Sequence, residues 1–144
     1  MCLQPLLALL GARIAVTICY EDVFGEEVID AMPEARLLVN ISNDAWFGDS
    51  LAPHQHLEMA RMRALETGRY LLRATNTGIS AVINEKGNVV STSPQFKPDT
   101  LLAEIKTFSG STPYSVYGNY PTIILALIIL ITCFYLERKP EKNN

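Results

Sequence analysis

Hydrophobic and polar positions alternate from Ala12 to Cys19, placing Ile14, Val16 and Ile18 on one face of a strand. From Glu21 through Asp30 the pattern becomes acidic and helical, so the spacing predicts strand, sharp turn, helix. A second strand, Arg36 to Ser42, is apolar almost without interruption, as in a sheet covered on both faces. It leads into a polar loop, residues 43–49, that carries Trp46 and Phe47 between carboxylates. From Pro53 to Gly68 the positions Leu57, Ala60, Ala64 and Leu65 recur at helical spacing. Glu58, Arg61, Arg63, Glu66 and Arg69 lie off that stripe and read as a solvated face. Strands are then expected at Tyr70–Thr75, Ile79–Asn84 and Asn88–Ser93, the last two joined by a turn at Glu85-Lys86-Gly87, and a further short strand at Leu101–Ile105. Helix and strand alternate and then strands follow one another, which predicts a layered domain of the α/β class without an internal repeat.

The pattern changes at Tyr120. Seventeen residues from there to Leu136 carry no charge, and Glu137, Arg138 and Lys139 follow at once. A helix of that length covers roughly 25 Å, the short end of what crosses a bilayer core of roughly 30 Å. Tyr117, Tyr120 and Tyr135 suit interfacial anchors. The expected division is a domain over residues 1–116, a transmembrane helix over 117–137 and a cytoplasmic tail over 138–144. Arg138, Lys139 and Lys142 would hold that tail in the cytoplasm and leave the domain on the periplasmic face of a bacterial inner membrane. The apolar stretch Leu6 to Ala12 has no Lys or Arg before it and does not read as a targeting signal.

Of 144 residues 49% are hydrophobic and 19% charged, enough apolar material for one core. The net charge of −3 gives no basic excess, so nucleic acid is not an expected partner. Three cysteines at positions 2, 19 and 133 form neither a disulfide framework nor a zinc motif. His54 and His56 are two apart, cannot share a helix face, and have no third ligand at matching spacing, so no metal site is expected.

Cys19 is the sharpest chemical candidate. It closes an alternating strand and precedes a helical segment, where a thiol points out of the sheet and the following N–H groups are free to bind an oxyanion. A buried structural cysteine is the competing reading. Glu21 and Asp22 are adjacent carboxylates that would disfavour a thiolate, and no cation lies near in sequence to compensate.

Ile18-Cys19-Tyr20-Glu21, the stretch 40–50 (NISNDAWFGDS), the stretch 56–66 (HLEMARMRALE), Asn76-Thr77-Gly78, Thr112-Pro113-Tyr114 and Gly118-Asn119 together resemble the apolipoprotein N-acyltransferase family of the nitrilase, or carbon-nitrogen hydrolase, superfamily. The resemblance covers nearly the whole chain. It implies part of a nitrilase-like α-β-β-α sandwich followed by one C-terminal transmembrane helix, and a catalytic set of Glu base, Lys and Cys nucleophile. Cys19 matches the nucleophile. Tyr20, through its N–H, and Glu21 match oxyanion-binding and site-shaping positions, and Trp46 and Phe47 match a loop at the lipid entrance. The implied reaction takes an acyl chain from a phospholipid onto the cysteine and passes it to the N-terminal amine of a diacylglyceryl-cysteine lipoprotein, with no metal or diffusible cofactor.

The departure is as informative. The family's Glu and Lys precede the cysteine by a long stretch, and neither has a match in the eighteen residues before Cys19. The chain therefore reads as the C-terminal part of such an enzyme, inactive alone and in need of the missing N-terminal half as partner. The other readings are a membrane-tethered nitrilase-like amidohydrolase and a non-catalytic remnant.

Overall fold

The computed structural model describes residues 6–9 and 11–137. Cys2 and the tail 138–144 lie outside the described residues. Strands β1 (Leu7–Leu9), β2 (Ala12–Ile18), β3 (Leu37–Ser42), β4 (Leu71–Thr75), β5 (Ala81–Ile83) and β6 (Val89–Thr92) lie side by side in chain order. Strands β2, β3 and β4 are parallel, and the remaining neighbours are antiparallel. A parallel step needs a crossover, and the two crossovers carry helices α1 (Gly25–Ile29) and α2 (Ala52–Thr67).

Register decides what each face of the sheet carries. Ala15, Leu38, Leu71 and Ile83 stand in one row, and Thr17, Asn40, Arg73 and Ala81 in the row two residues on. The first row and Ala81 form a core with Val28 of α1, Ala31 and Ala35 beyond it, and Leu57, Ala60 and Ala64 of α2. The alanines let α2 lie close on the sheet. Alternate rows face the other way and carry Val16, Val39 and Leu72, then Ile18 and Ile41, which are about half exposed. The α/β class is thus realised as one helix layer on one sheet.

Several elements differ from expectation. The acidic stretch after Cys19 is not one helix: a 3₁₀ turn (Cys19–Val23) ends at Phe24, whose backbone is extended, and α1 starts at Gly25. A Cβ at residue 25 would collide with the Arg63 guanidinium and the Tyr114 hydroxyl. Leu101–Ile105 forms no strand. Pro94 and Pro98 follow β6, lack the N–H a ladder needs, and carry the chain off the sheet. Leu7–Leu9 does form one, pairing with the N-terminal half of β2. The turn between β5 and β6 forms as read, with Gly87 N–H donating to the Asn84 carbonyl at 2.9 Å.

On α2, Thr67 completes the buried stripe and Leu65 is exposed. The helix stops at Gly68, whose φ of 64° is the left-handed cap that glycine adopts without strain. Arg69 is not solvated. Only 2% exposed, it donates from Nε to the Ala35 carbonyl at 2.8 Å and from Nη2 to the Gly110 carbonyl at 2.6 Å. It ties the end of α2 to α1's exit and to the 110 loop, and burial pushes its guanidinium below the usual arginine range.

Helix α3 (Pro113–Tyr117) is capped by the Thr112 hydroxyl, which accepts from Ser115 N–H and donates to the Glu66 carbonyl of α2. Helix α4 (Tyr120–Glu137) is exposed along its whole length, and is long and apolar enough to cross a membrane.

Candidate active site

Cys19 is the first residue beyond β2 and has φ 54°. For a residue with a Cβ this left-handed conformation costs on the order of 1–3 kcal/mol, so the surroundings must hold it. Asn40 of β3 does part of this, donating from Nδ2 to the Cys19 carbonyl at 3.0 Å and to Thr17 Oγ1 at 3.1 Å. Glu21 does another part: its carboxylate accepts the Ile18 N–H at 2.7 Å and closes the turn. The Cys19 side chain is partly buried, and its sulfur lies 3.7 Å from Ser42 Oγ, at the end of β3.

Behind that pair is a polar cluster in which Asp22, Asn40, Ser42, Asp44, His56 and Arg73 are all 5% exposed or less. Arg73 of β4 is its hub. It donates from Nη1 to Asn40 Oδ1 at 2.7 Å, and from Nη2 to Asp44 Oδ2 at 2.9 Å and to His56 Nδ1 at 2.8 Å. A guanidinium only donates, so His56 Nδ1 is the acceptor and the ring proton sits on Nε2. That proton goes to Asp22 Oδ1 at 2.8 Å. The cluster therefore holds two carboxylates, one guanidinium and a neutral imidazole. Through Asn40 at the Cys19 carbonyl and Ser42 at its sulfur, the cluster orients the cysteine.

The loops above the cluster are tied to it. Ser42 Oγ donates to Asp44 Oδ1 at 2.6 Å, and Asp44 N–H donates to Asn76 Oδ1 at 3.2 Å. Asn76 Nδ2 in turn donates to Asn43 Oδ1 at 2.6 Å. Gly78 passes so close over Asp44 that a Cβ there would overlap the carboxylate. The motifs at 42–44 and 76–78 are thus two sides of one contact. Trp46 and Phe47 lie on the 3₁₀ turn Asp44–Phe47 that leaves β3, with Trp46 88% exposed. Phe47 meets the Tyr20 ring at 5.8 Å, and Tyr20 stacks on His56 at 4.5 Å.

The structure thus brings Cys19, Tyr20, Glu21 and Phe47 together at the C-terminal ends of β2 and β3 and leaves the Trp46 ring exposed. Asp22, Ser42, Asp44, His56 and Arg73 were not read as site residues. A signal existed for most of them. His56 precedes Leu57 on the buried stripe of α2, four residues before Ala60. Ser42 shares the parity of Leu38 and Asn40, and Arg73 that of Leu71, so each points toward the core. His54 is exposed and plays no part in the cluster.

A separate cleft of about 440 Å³ lies between α1, α2 and α3, lined among others by Glu26, Arg63, Glu66, Tyr114 and Asn119. Arg63 and Glu66 pair there at 2.9 Å. Burial pushes the Glu66 carboxyl up, with Arg63 opposing. Burial, reinforced by Glu66, pushes the Tyr114 hydroxyl up as well.

Comparison with known proteins gives consistent relatives. Proteins named apolipoprotein N-acyltransferase are 48% identical over 98% of this chain in Methylococcus capsulatus, 55% over 89% in Nitrosomonas europaea and 49% over 89% in Haemophilus influenzae. The chain spans only 28%, 25% and 25% of their respective lengths. Among solved structures the fold resembles a glutamine-dependent NAD+ synthetase from Acinetobacter baumannii, with TM-score 0.57, 16% identity, 65% of this chain and 19% of that one. It also resembles an amidase of the nitrilase superfamily from Nesterenkonia, with TM-score 0.54, 17% identity, 85% of this chain and 47% of that one. The family model described as carbon-nitrogen hydrolase matches residues 3–114, and the chain belongs to that family.

Proposed function

We propose that this chain carries the nucleophile-bearing part of an apolipoprotein N-acyltransferase. The observation that supports it most is Cys19 itself, held in a left-handed turn at the end of a parallel strand, beside a loop with an exposed tryptophan. In this reading the Cys19 thiolate attacks the carbonyl carbon of a phospholipid ester. A base takes the thiol proton, an S–C bond forms, the ester C–O bond breaks, and the lysophospholipid oxygen leaves with that proton returned from the base. The α-amine of a diacylglyceryl-cysteine lipoprotein then attacks the thioester, an N–C bond forms, and sulfur leaves while the amine proton goes to a base.

The Tyr20 N–H is the proposed oxyanion donor, and Glu21 shapes the turn that presents it. Trp46 and Phe47 form the proposed lipid entrance, aromatic rings being suited to a membrane boundary. Helix α4 crosses the inner membrane with the domain periplasmic and the tail cytoplasmic. The proton acceptor and the lysine of the resemblance match no residue here, so in this reading turnover needs them from the rest of a protein like the relatives, of whose length this chain spans 25–28%.

The test uses the full 144-residue chain in detergent micelles, alone and co-expressed with the remaining part of the Nitrosomonas relative, given phospholipid and a diacylglyceryl-cysteine peptide. Mass spectrometry is expected to find an acyl thioester on Cys19 in the complemented sample, absent in Cys19→Ala, and little transfer by the chain alone. Transfer by the chain alone at the complemented rate would overturn the need for a second half. A complemented sample that acylates the peptide with Cys19 never modified would overturn its role.

A further inference from the structure

We infer that Ser42, held from behind by Asp44 and Arg73, is the positioning residue for the Cys19 sulfur, and that its hydroxyl hydrogen turns from Asp44 to the sulfur when the thiol ionises. This deepens the reading of Cys19 as nucleophile and rests on it.

A serine hydroxyl has one proton and two lone pairs. At 2.6 Å from Asp44 Oδ1 and 3.7 Å from Cys19 Sγ, the hydroxyl hydrogen points to the carboxylate and a lone pair faces the sulfur. That arrangement suits a thiol, whose S–H can donate to the oxygen. It does not suit a thiolate, which would face a lone pair with Asp44 behind it. Rotating the hydroxyl hydrogen about the Cβ–Oγ bond removes the conflict without moving a heavy atom. Asp44 tolerates the loss because Arg73 Nη2 still donates to its other oxygen at 2.9 Å.

The charged and titratable groups of the neighbouring elements already have partners. Asp22 and Glu21 of the 3₁₀ turn are engaged with His56 Nε2 and the Ile18 N–H, and His56 of α2 accepts from Arg73. Through Arg73 the same hub also reaches the other side of Cys19, because Asn40, which holds the Cys19 carbonyl, is bonded to Arg73 Nη1 at 2.7 Å. Ser42 is the arm at the sulfur and Asn40 the arm at the backbone.

The experiment measures the rate of Cys19 alkylation by iodoacetamide against pH in the full chain, read peptide by peptide with Cys2 and Cys133 as internal references. Ser42→Ala is expected to slow Cys19 alkylation at neutral pH by about tenfold, the loss of one hydrogen bond, and to move the midpoint of the profile upward. Ser42→Thr keeps the hydroxyl and is expected to stay within about twofold of the parent rate. Asp44→Asn frees the hydroxyl for sulfur and removes a negative charge, so its midpoint moves downward, and by less when Ser42 is alanine. A parent-like profile for Ser42→Ala, or a Ser42→Thr as slow as Ser42→Ala, would overturn the assignment. Should Ser42→Ala not fold, an Asp44→Asn profile identical to the parent's would overturn it as well. Alkylation needs no phospholipid, so a Ser42 effect without any acyl-thioester overturns only the acyl-transfer reading.

Discussion

The two faces of the sheet are built from neighbouring residues of the same strands and are covered to different extents. On the face under α1 and α2, Leu38, Leu71, Ile83 and even Arg73 are sealed from solvent. On the other, Ile14, Leu37 and Val82 are only 5–6% exposed, while Ile18 and Ile41, at the Cys19 end of the strands, are half exposed, although the side chains are as apolar. The difference teaches that the crossover helices, which by the handedness of parallel connections lie over one face, seal that face along the strands, whereas the other is covered around Ile14, Leu37 and Val82 and open around Ile18 and Ile41. The open part of that face, around Ile18 and Ile41, is apolar and lies next to Cys19 in sequence.

The largest effect is expected where the covered face is polar. Arg73 neutralises Asp44 and steadies His56 and Asn40, so Arg73→Met leaves a carboxylate buried without its cation. Removing one partner of such a pair costs about 3–5 kcal/mol. Urea denaturation should show a loss of that size, and a loss under about 1 kcal/mol would mean that water reaches the cluster and that the covered face is not sealed.

The comparison is sharpest in adjacent residues. Leu71 is 1% exposed beneath α2, whereas Leu72 points to the opposite face and is only partly buried. Leu71→Ala is expected to cost about 2–5 kcal/mol, combining lost transfer energy with a cavity. Leu72→Ala should cost about 1 kcal/mol, because a half-covered side chain loses less on truncation. Equal losses in the two variants would show that the second face is packed after all. Smaller still is the effect of Ile41→Lys, within about 0.5 kcal/mol for an exposed site. Its consequence lies in association, since a charge on an apolar face opposes contact with other chains. Sedimentation should find the parent self-associating in mild detergent and Ile41→Lys more monomeric.

The same contrast explains what could be read in the sequence. The strands β2, β3 and β4, helix α2 and the β5–β6 turn were legible because each is a local period or a local turn. Cys19 was legible because its strand visibly ends there. The ionic cluster was not, since its members are joined over long separations: His56 to Asp22 across 34 residues, Arg73 to Asp44 across 29. A charge off an apolar stripe reads as solvated unless its partner is known, which is how Arg69 was misjudged. The close approach of Arg63 and Tyr114 to Gly25, just after the break at Phe24, was hidden for a related reason, because both come from elsewhere in the chain.

The smallest predicted effect concerns the far side of α2, where burial of charge is only partly compensated. Desolvation raises the Glu66 carboxyl above its ordinary value, and the Arg63 pair only opposes this. A carboxyl raised on folding binds its proton more tightly in the folded state, so the folded chain holds more protons than the unfolded one between the two values. Stability therefore falls as pH rises through the window just above the ordinary carboxylate range. Below that window Glu66 is protonated in both states, and above it the charged form bears the full desolvation cost. Glu66→Gln removes the titration and should flatten this part of the stability profile while leaving Cys19 alkylation unchanged. Denaturation midpoints collected across mildly acidic pH check it. A profile in the parent that rises with pH, and keeps the same slope in Glu66→Gln, would show that the Arg63 pair outweighs burial on this side of the helix layer.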